Sequence, residues 1–371
     1  GISAETPNPP GGEILRNAHG EPIGTITENT MELVKQAAPA PDDAAVLSAL
    51  RRVQQEAARY GVTSVHNCEG SAPLAGLQHL ERAGELSLRV WQMVRKQQLS
   101  AALELRLASG FGSPMLRIGH LKMFADGALG SATAEMLVPY EDLPGVGVAS
   151  TPTEELYASA RSAALQGLAS AIHAIGDAAN RRVLDLYAQL RAEGIFTPIP
   201  HRIEHVQLLD PADLPRLAAL GVVASMQPIH APQDRVMADL HWGARARYGY
   251  AWASVLRSGA LLVMGTDTPV EALNPLANLH AAVTRRSADG QPAGGWYPQE
   301  ALTLEQALYA YTQAPAVATG EAHLKGSLTP GKLADLVVLS RALDAREPDA
   351  LLETQVDLTM LGGRVLFERE D

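Results

Sequence analysis

Between residues 42 and 318, short apolar runs alternate with stretches of helical periodicity. The runs are Val62–His66, Leu88–Val94, Ile118–Phe124, Leu168–His173, Arg202–His205, Val222–Met226 and Leu261–Gly265. Helical patterns fall at 42–60, 72–83, 154–167, 177–193, 211–220, 247–258 and 303–318. A helix after each strand carries the chain back to the same edge, so this rhythm predicts an α/β fold with a parallel sheet. Seven runs are one short of a closed (β/α)8 TIM barrel. Seven strands would leave two open edges, which proteins avoid, so the reading expects the first barrel strand upstream of Gly1. An open doubly wound sheet is the alternative.

The ends of the chain differ in character. The opening GISAETPNPPGG is rich in Pro and Gly and reads as a loop. After Gly326 the pattern becomes turn, strand over Ala334–Leu339, then two short strands around Gly362-Gly363. That predicts antiparallel structure. The expected division is a barrel over 1–320 lacking its first strand, and the C-terminal part of a small β-sandwich over 321–371. Residues 128–150, 228–247 and 288–296 read as loops near the barrel mouth.

Net charge of −11 disfavours a phosphate backbone, so nucleic acid is not an expected partner; the balance says nothing specific about the small-molecule substrate that is expected. No run of about 18 apolar residues occurs, so no membrane span is expected. The single cysteine, Cys68, permits no internal disulfide and suits a reducing, cytoplasmic setting. It reads as a small buried hydrophobe. A homodimer is compatible with all of this.

In parallel βα folds the reactive groups sit where strands end at their C-terminal side. The polar residues there include His66, Lys122, Asp126, His173, Glu204, His205, Gln227, His230 and Asp267. His173, His205 and Asp267 end three different strands and are metal-ligand types suited to zinc and similar divalent ions. Singly, each has a plainer reading as a hydrogen-bonded core histidine or a helix N-cap. Lys122 lies inside an apolar strand, where an ammonium is costly unless paired or neutralised. It reads as a salt bridge to Asp126 or Asp267, a Schiff-base amine, or a carbamate bridging two metal ions. His66, His120 and His201 read as packing or supporting residues.

The runs GVTSVHN (61–67), LKMFADGALGSATAEM (121–136), AIHAIGDAANRRVLD (171–185), HRIEHVQLL (201–209), SMQPIHAPQD (225–234), GTDTPVEALNPL (265–276) and GSLTPGKLADLVVL (326–339) resemble the amidohydrolase superfamily. Within it they resemble the N-substituted formamide deformylases and related hydrolases. The resemblance implies a (β/α)8 barrel with a small β-sandwich, and a centre of one or two metal ions, usually zinc. It implies metal ligands Lys122 (carbamylated, fourth strand), His173 (fifth), His205 (sixth) and Asp267 (eighth). It implies Asp267 and His230 as catalytic residues, and Asp126, Gln227 and His230 as substrate contacts. The family's first strand carries a His-x-His pair, and none occurs in this sequence. The reading places that pair upstream and expects the chain as it stands to hold one metal ion weakly or none, and then to be inactive.

The expected reaction is hydrolysis of a C–N bond in an amide, formamide or cyclic amide. Asp267 would act as base and then acid, with His230 supporting the oxyanion. Two rivals stand beside it. One is a metal-free Schiff-base lyase using Lys122, and the other is a truncated or inactive homologue without catalysis.

Overall fold

All seven apolar runs form strands, and they pair in chain order. The structure is a computed structural model that describes residues 1–9, 12–28 and 30–370. β1 (Gly12–Arg16) and β2 (Pro22–Glu28) form an antiparallel hairpin. The sequence reading did not foresee this hairpin, since its residues show little apolar alternation. The Asn17 side chain closes the turn by accepting from the amides of His19 and Glu21.

The main sheet is parallel and curled. It comprises β3 (Ser64–Asn67), β4 (Arg89–Arg95), β5 (Leu116–Phe124), β6 (Ser170–Ala174), β7 (Arg202–His205), β8 (Val223–Met226) and β9 (Leu262–Met264). Its order is sequential, as in a barrel; a doubly wound sheet would reverse order at a switch point. These are seven strands of a (β/α)8 barrel. Among the described residues no strand joins β3 to β9.

Helices cover the outer face. The helix Asp177–Ala192 shows why: Asp177 lies in its first turn, and Val183, Leu184, Tyr187 and Leu190 bury one stripe against the sheet. Burying one such side chain contributes roughly 1.5–3 kcal/mol. Two helical expectations need correction. Residues 228–247, read as loop, contain the helix His230–Trp242, with Pro232 in its first turn, where a missing N–H costs nothing. The pattern 303–318 is two helices, Leu304–Tyr311 and Gln313–Ala318. Pro315 cannot donate back to Tyr311, so the helix breaks there.

The C-terminal sheet is antiparallel, in the order β10 (Leu336–Leu339), β11 (Val356–Leu361), β12 (Arg364–Glu368). It rests against the helix Asp43–Arg59 and the base of β4. Thr359 Oγ1 donates to the Ala58 carbonyl at 2.7 Å. Arg89 forks onto both oxygens of Asp335, at 2.6 and 2.8 Å. Paired planar groups of this kind fix orientation as well as position. No helix among the described residues is long and apolar enough to cross a membrane.

The lower part of the sheet encloses neutral histidines. His120 accepts from Trp91 Nε1 at 3.1 Å, and burial pushes its pKa down to about 3. Burial pushes His201 down to about 4. Both pKa values lie below the ordinary 6.5, so between those limits the unfolded chain binds more protons than the folded one. The contribution of these two histidines to stability is therefore full above about pH 6.5 and declines as pH falls toward 4. Each histidine removes about 1.4 kcal/mol per pH unit within that window. Urea unfolding at pH 7, 6 and 5 should show a falling free energy, and a flat profile would contradict this burial.

Candidate metal centre

Strand register brings the expected residues to one end of the sheet. Phe124 pairs with His173, His173 with Glu204, and Ala174 with His205. His173 and His205 stand edge to face, with ring centroids 4.6 Å apart. The β8 and β9 ends add Gln227, His230 and Asp267. One donor atom each from His205, His230 and Asp267 lie within 4.8 Å of one another. His173 is outside that triangle but adjoins it through His205.

Acceptors beside two rings decide which nitrogen keeps its lone pair. His173 Nε2 lies 2.8 Å from the Gly127 carbonyl, which can only accept, so Nε2 carries the proton and Nδ1 keeps its lone pair. His205 Nδ1 lies 2.8 Å from Gln227 Oε1, so Nε2 keeps the lone pair. Burial lowers both histidines below the ordinary range, His205 to about 4. Neutral imidazoles with oriented lone pairs are what a cation requires.

Lys122 is buried, with Nζ 4.5 Å from the Phe124 ring centroid. Burial lowers its amine, against the opposing pull of Glu204, Cys68 and Asp267. Burial would raise Glu204, but Arg202 and Lys122 outweigh it and hold its carboxylate well below the usual range. Arg202 Nε sits 2.6 Å from Glu204 Oε1 and its Nη1 donates to His66 Nδ1 at 2.7 Å. His66 thus serves the network beneath the site. Cys68 is half-buried at the same end of the sheet.

Asp126 lies apart from the opening, with a fully buried side chain. Its oxygens accept the backbone amides of Glu135, Ile175 and Gly176 at 2.9, 3.1 and 2.8 Å. Burial raises its pKa to about 7, with those three amides pulling it back. It ties the loop after β5 to the loop after β6 and comes within 3.6 Å of His173 Nε2. In this structure it meets the site through His173 and Gly127. Gly176 allows this approach, because a Cβ there would come within 2.0 Å of the Glu135 carbonyl oxygen.

Several contributors went unrecognised in the sequence. The Gly127 carbonyl leaves no trace in residue type. Phe124 stands 44% exposed at the mouth, beside Lys122 and His173. Glu271 Oε1 comes to 3.5 Å from His230 Nδ1. Its only signal was an acidic residue four places after Asp267.

The profile described as the amidohydrolase family matches residues 1–367. The chain belongs to the amidohydrolase family. It is 33% identical to the protein LONG AFTER FAR-RED 3 of Arabidopsis thaliana, over 99% of this chain and 65% of that protein. It is 28% identical to the N-substituted formamide deformylase of Arthrobacter pascens, over 100% of this chain and 70% of that protein. The crystal structure of an uncharacterized metal-dependent hydrolase from Pyrococcus horikoshii OT3 matches with a TM-score of 0.73 and 30% identity, over 82% of this chain and 62% of that one. This amidohydrolase-family chain therefore spans 62–70% of the length of these relatives.

The Asp126 anchor can be tested by substitution. Asp126→Ala strands three buried amides at about 1–3 kcal/mol each, so unfolding free energy should fall by about 3 kcal/mol or more. An unchanged urea midpoint would show that the loops do not depend on it.

Proposed function

We propose that the protein is a metal-dependent hydrolase that cleaves a C–N bond in an amide, formamide or cyclic amide. The observation that carries the proposal is the pair of neutral imidazoles 4.6 Å apart, His173 with a free lone pair on Nδ1 and His205 with one on Nε2, each tautomer fixed by an acceptor on the other nitrogen. Similarity to a formamide deformylase and to a metal-dependent hydrolase supports the same reading.

The residues fit a divalent cation such as zinc. His173, His205, Asp267 and Lys122 as its carbamate would hold it, all nitrogen or oxygen donors suited to such ions. A bound ion of this class supplies acidified water and a polarised carbonyl. Asp267 is one-third exposed, so its carboxylate can take a proton from the attacking water and return it to the leaving nitrogen. Burial would raise the Asp267 carboxyl, but the His230 contact and the His205 and Lys122 charges outweigh it, keeping it ionised as a base must be. Gln227 holds the His205 ring, and the exposed face of Phe124 gives an apolar substrate group a surface to rest on.

The Lys122 amine, lowered by burial, can be neutral and attack carbon dioxide, forming an N–C bond and releasing one proton. Protein equilibrated with 13C-bicarbonate should show a carbamate resonance that is lost in Lys122→Met. Its absence from the unsubstituted protein would leave Lys122 as a packing residue over Phe124.

Turnover is assayed with a panel of formamides, amides and esters. Chelation should abolish C–N cleavage and added zinc should restore it. Asp267→Asn should lower kcat by about 10²–10⁴-fold. Undiminished turnover in Asp267→Asn, or activity indifferent to chelators, would refute the proposal.

A further inference from the structure

We infer that Glu28, at the end of the N-terminal hairpin, is a positioning residue for His173, acting through Thr133 and the Gly127–Ala128 peptide. The inference rests on the metal-centre reading above and adds to it the group that aims the His173 acceptor.

The link is a series of hydrogen bonds. Thr133 Oγ1 donates to Glu28 Oε1 at 2.7 Å and accepts the Ala128 N–H at 3.0 Å. The Ala128 nitrogen shares a peptide bond with the Gly127 carbonyl, which accepts from His173 Nε2 at 2.8 Å. A trans peptide is planar and stiff, with its N–H and C=O pointing opposite ways. Holding the N–H on Thr133 therefore aims the C=O at His173. Glu28 and Thr133 lie 105 residues apart in the chain, so the hairpin is tied to the loop after β5 at this point.

Proton counting gives the series its direction. A hydroxyl has one proton to give and two lone pairs, whereas a carboxylate only accepts. The Thr133 proton goes to Glu28, and its lone pairs are left for the Ala128 N–H and for the Ser131 hydroxyl at 2.6 Å. Ser131 Oγ also lies 3.1 Å from Glu28 Oε1. Without Glu28 the Thr133 proton is free to turn to Ser131 or to the Ala128 carbonyl, 3.5 Å away. Hydrogen bonds in series polarise one another. Negative charge at the Glu28 end thus strengthens the Gly127 carbonyl as an acceptor, and an acceptor of this kind is what fixes the ring and tautomer of a ligand histidine.

The local backbone is shaped to allow it. A Cβ on Gly127 would meet Thr133 Oγ1 at 2.0 Å and Glu28 Oε1 at 2.9 Å, so only glycine lets both groups reach over this peptide. Glu28 and Ala132 adopt positive φ, +48° and +52°, a left-handed conformation that costs a non-glycine residue free energy. One lies at the end of the hairpin and the other between the two hydroxyl residues.

The test reads the His173 tautomer by ring-nitrogen NMR of the metal-free 371-residue chain labelled with 15N-histidine, with His173→Asn assigning the signals. The inference expects one protonated and one unprotonated nitrogen for His173 in the unsubstituted chain and in Glu28→Gln, which keeps an acceptor oxygen. Glu28→Ala and Thr133→Val should draw the two nitrogen shifts together, as tautomers exchange, while His205, held by Gln227, keeps its own pattern. Zinc affinity should fall about 10-fold in both variants and little in Glu28→Gln. Thr133→Val preserves the side-chain shape, so it carries the test should Glu28→Ala fail to fold. An unchanged His173 tautomer in the folded variants would overturn the inference. Equal disturbance of His205 would overturn it too, as a general loosening of the fold. No zinc bound by the unsubstituted chain would remove the metal-centre reading for this chain, and the tautomer pattern, which needs no metal, would still decide the role of Glu28.

Discussion

Parallel, in-register pairing from β5 to β9 is the constraint on which the site depends. Side chains alternate along a strand, so a shift of one residue in any pairing would turn a strand's inward residues outward. The register sets Glu204 opposite His173, and His205, the next residue, leaves the strand conformation at φ +78°, so that two imidazoles from neighbouring strands meet at 4.6 Å. Asp267 arrives from beyond the end of β9, in a left-handed conformation that turns the chain back toward them. No local sequence feature could join residues 173, 205 and 267; only the sheet does so.

Two kinds of electrostatic environment meet inside the sheet. Around the Arg202 guanidinium, Nη1 donates to His66 and Nη2 to Glu204 and Ser225, while Nε meets Glu204 as an ion pair. Such a pair resists desolvation because its members share charge and hydrogen bonds. By contrast, His173 and His205 are held neutral by burial, and Lys122 is pushed toward neutrality.

Fold and metal-ligand types were legible in the sequence for the same reason: both follow from period. Apolar runs ending in His173, His205 and near Asp267 located the strands and the residues at their exposed ends together. The helix His230–Trp242 escaped because HAPQDRVMADLHW has weak amphipathicity and a proline three residues in. With it went the geometry of His230, whose ring is placed by a helix start rather than a strand end. The hairpin of β1 and β2 escaped because its polar residues do not alternate. Asp126 was visible as a charged residue near a strand end, but its three amide donors come from two loops, and loop conformation has no periodicity to read. Gly127 contributes only a backbone carbonyl, which every residue possesses.

Orientation of neutral imidazoles around a common point is the centre of the account, and it applies to a chain spanning only part of its relatives' length. Zinc K-edge X-ray absorption on the zinc-loaded protein measures that point most directly. The account predicts a first shell of nitrogen and oxygen alone at about 2.0–2.1 Å, with outer-shell scattering from at least two imidazoles. A sulfur shell at about 2.3 Å, placing the ion on Cys68, or a shell without imidazole scattering, would contradict it.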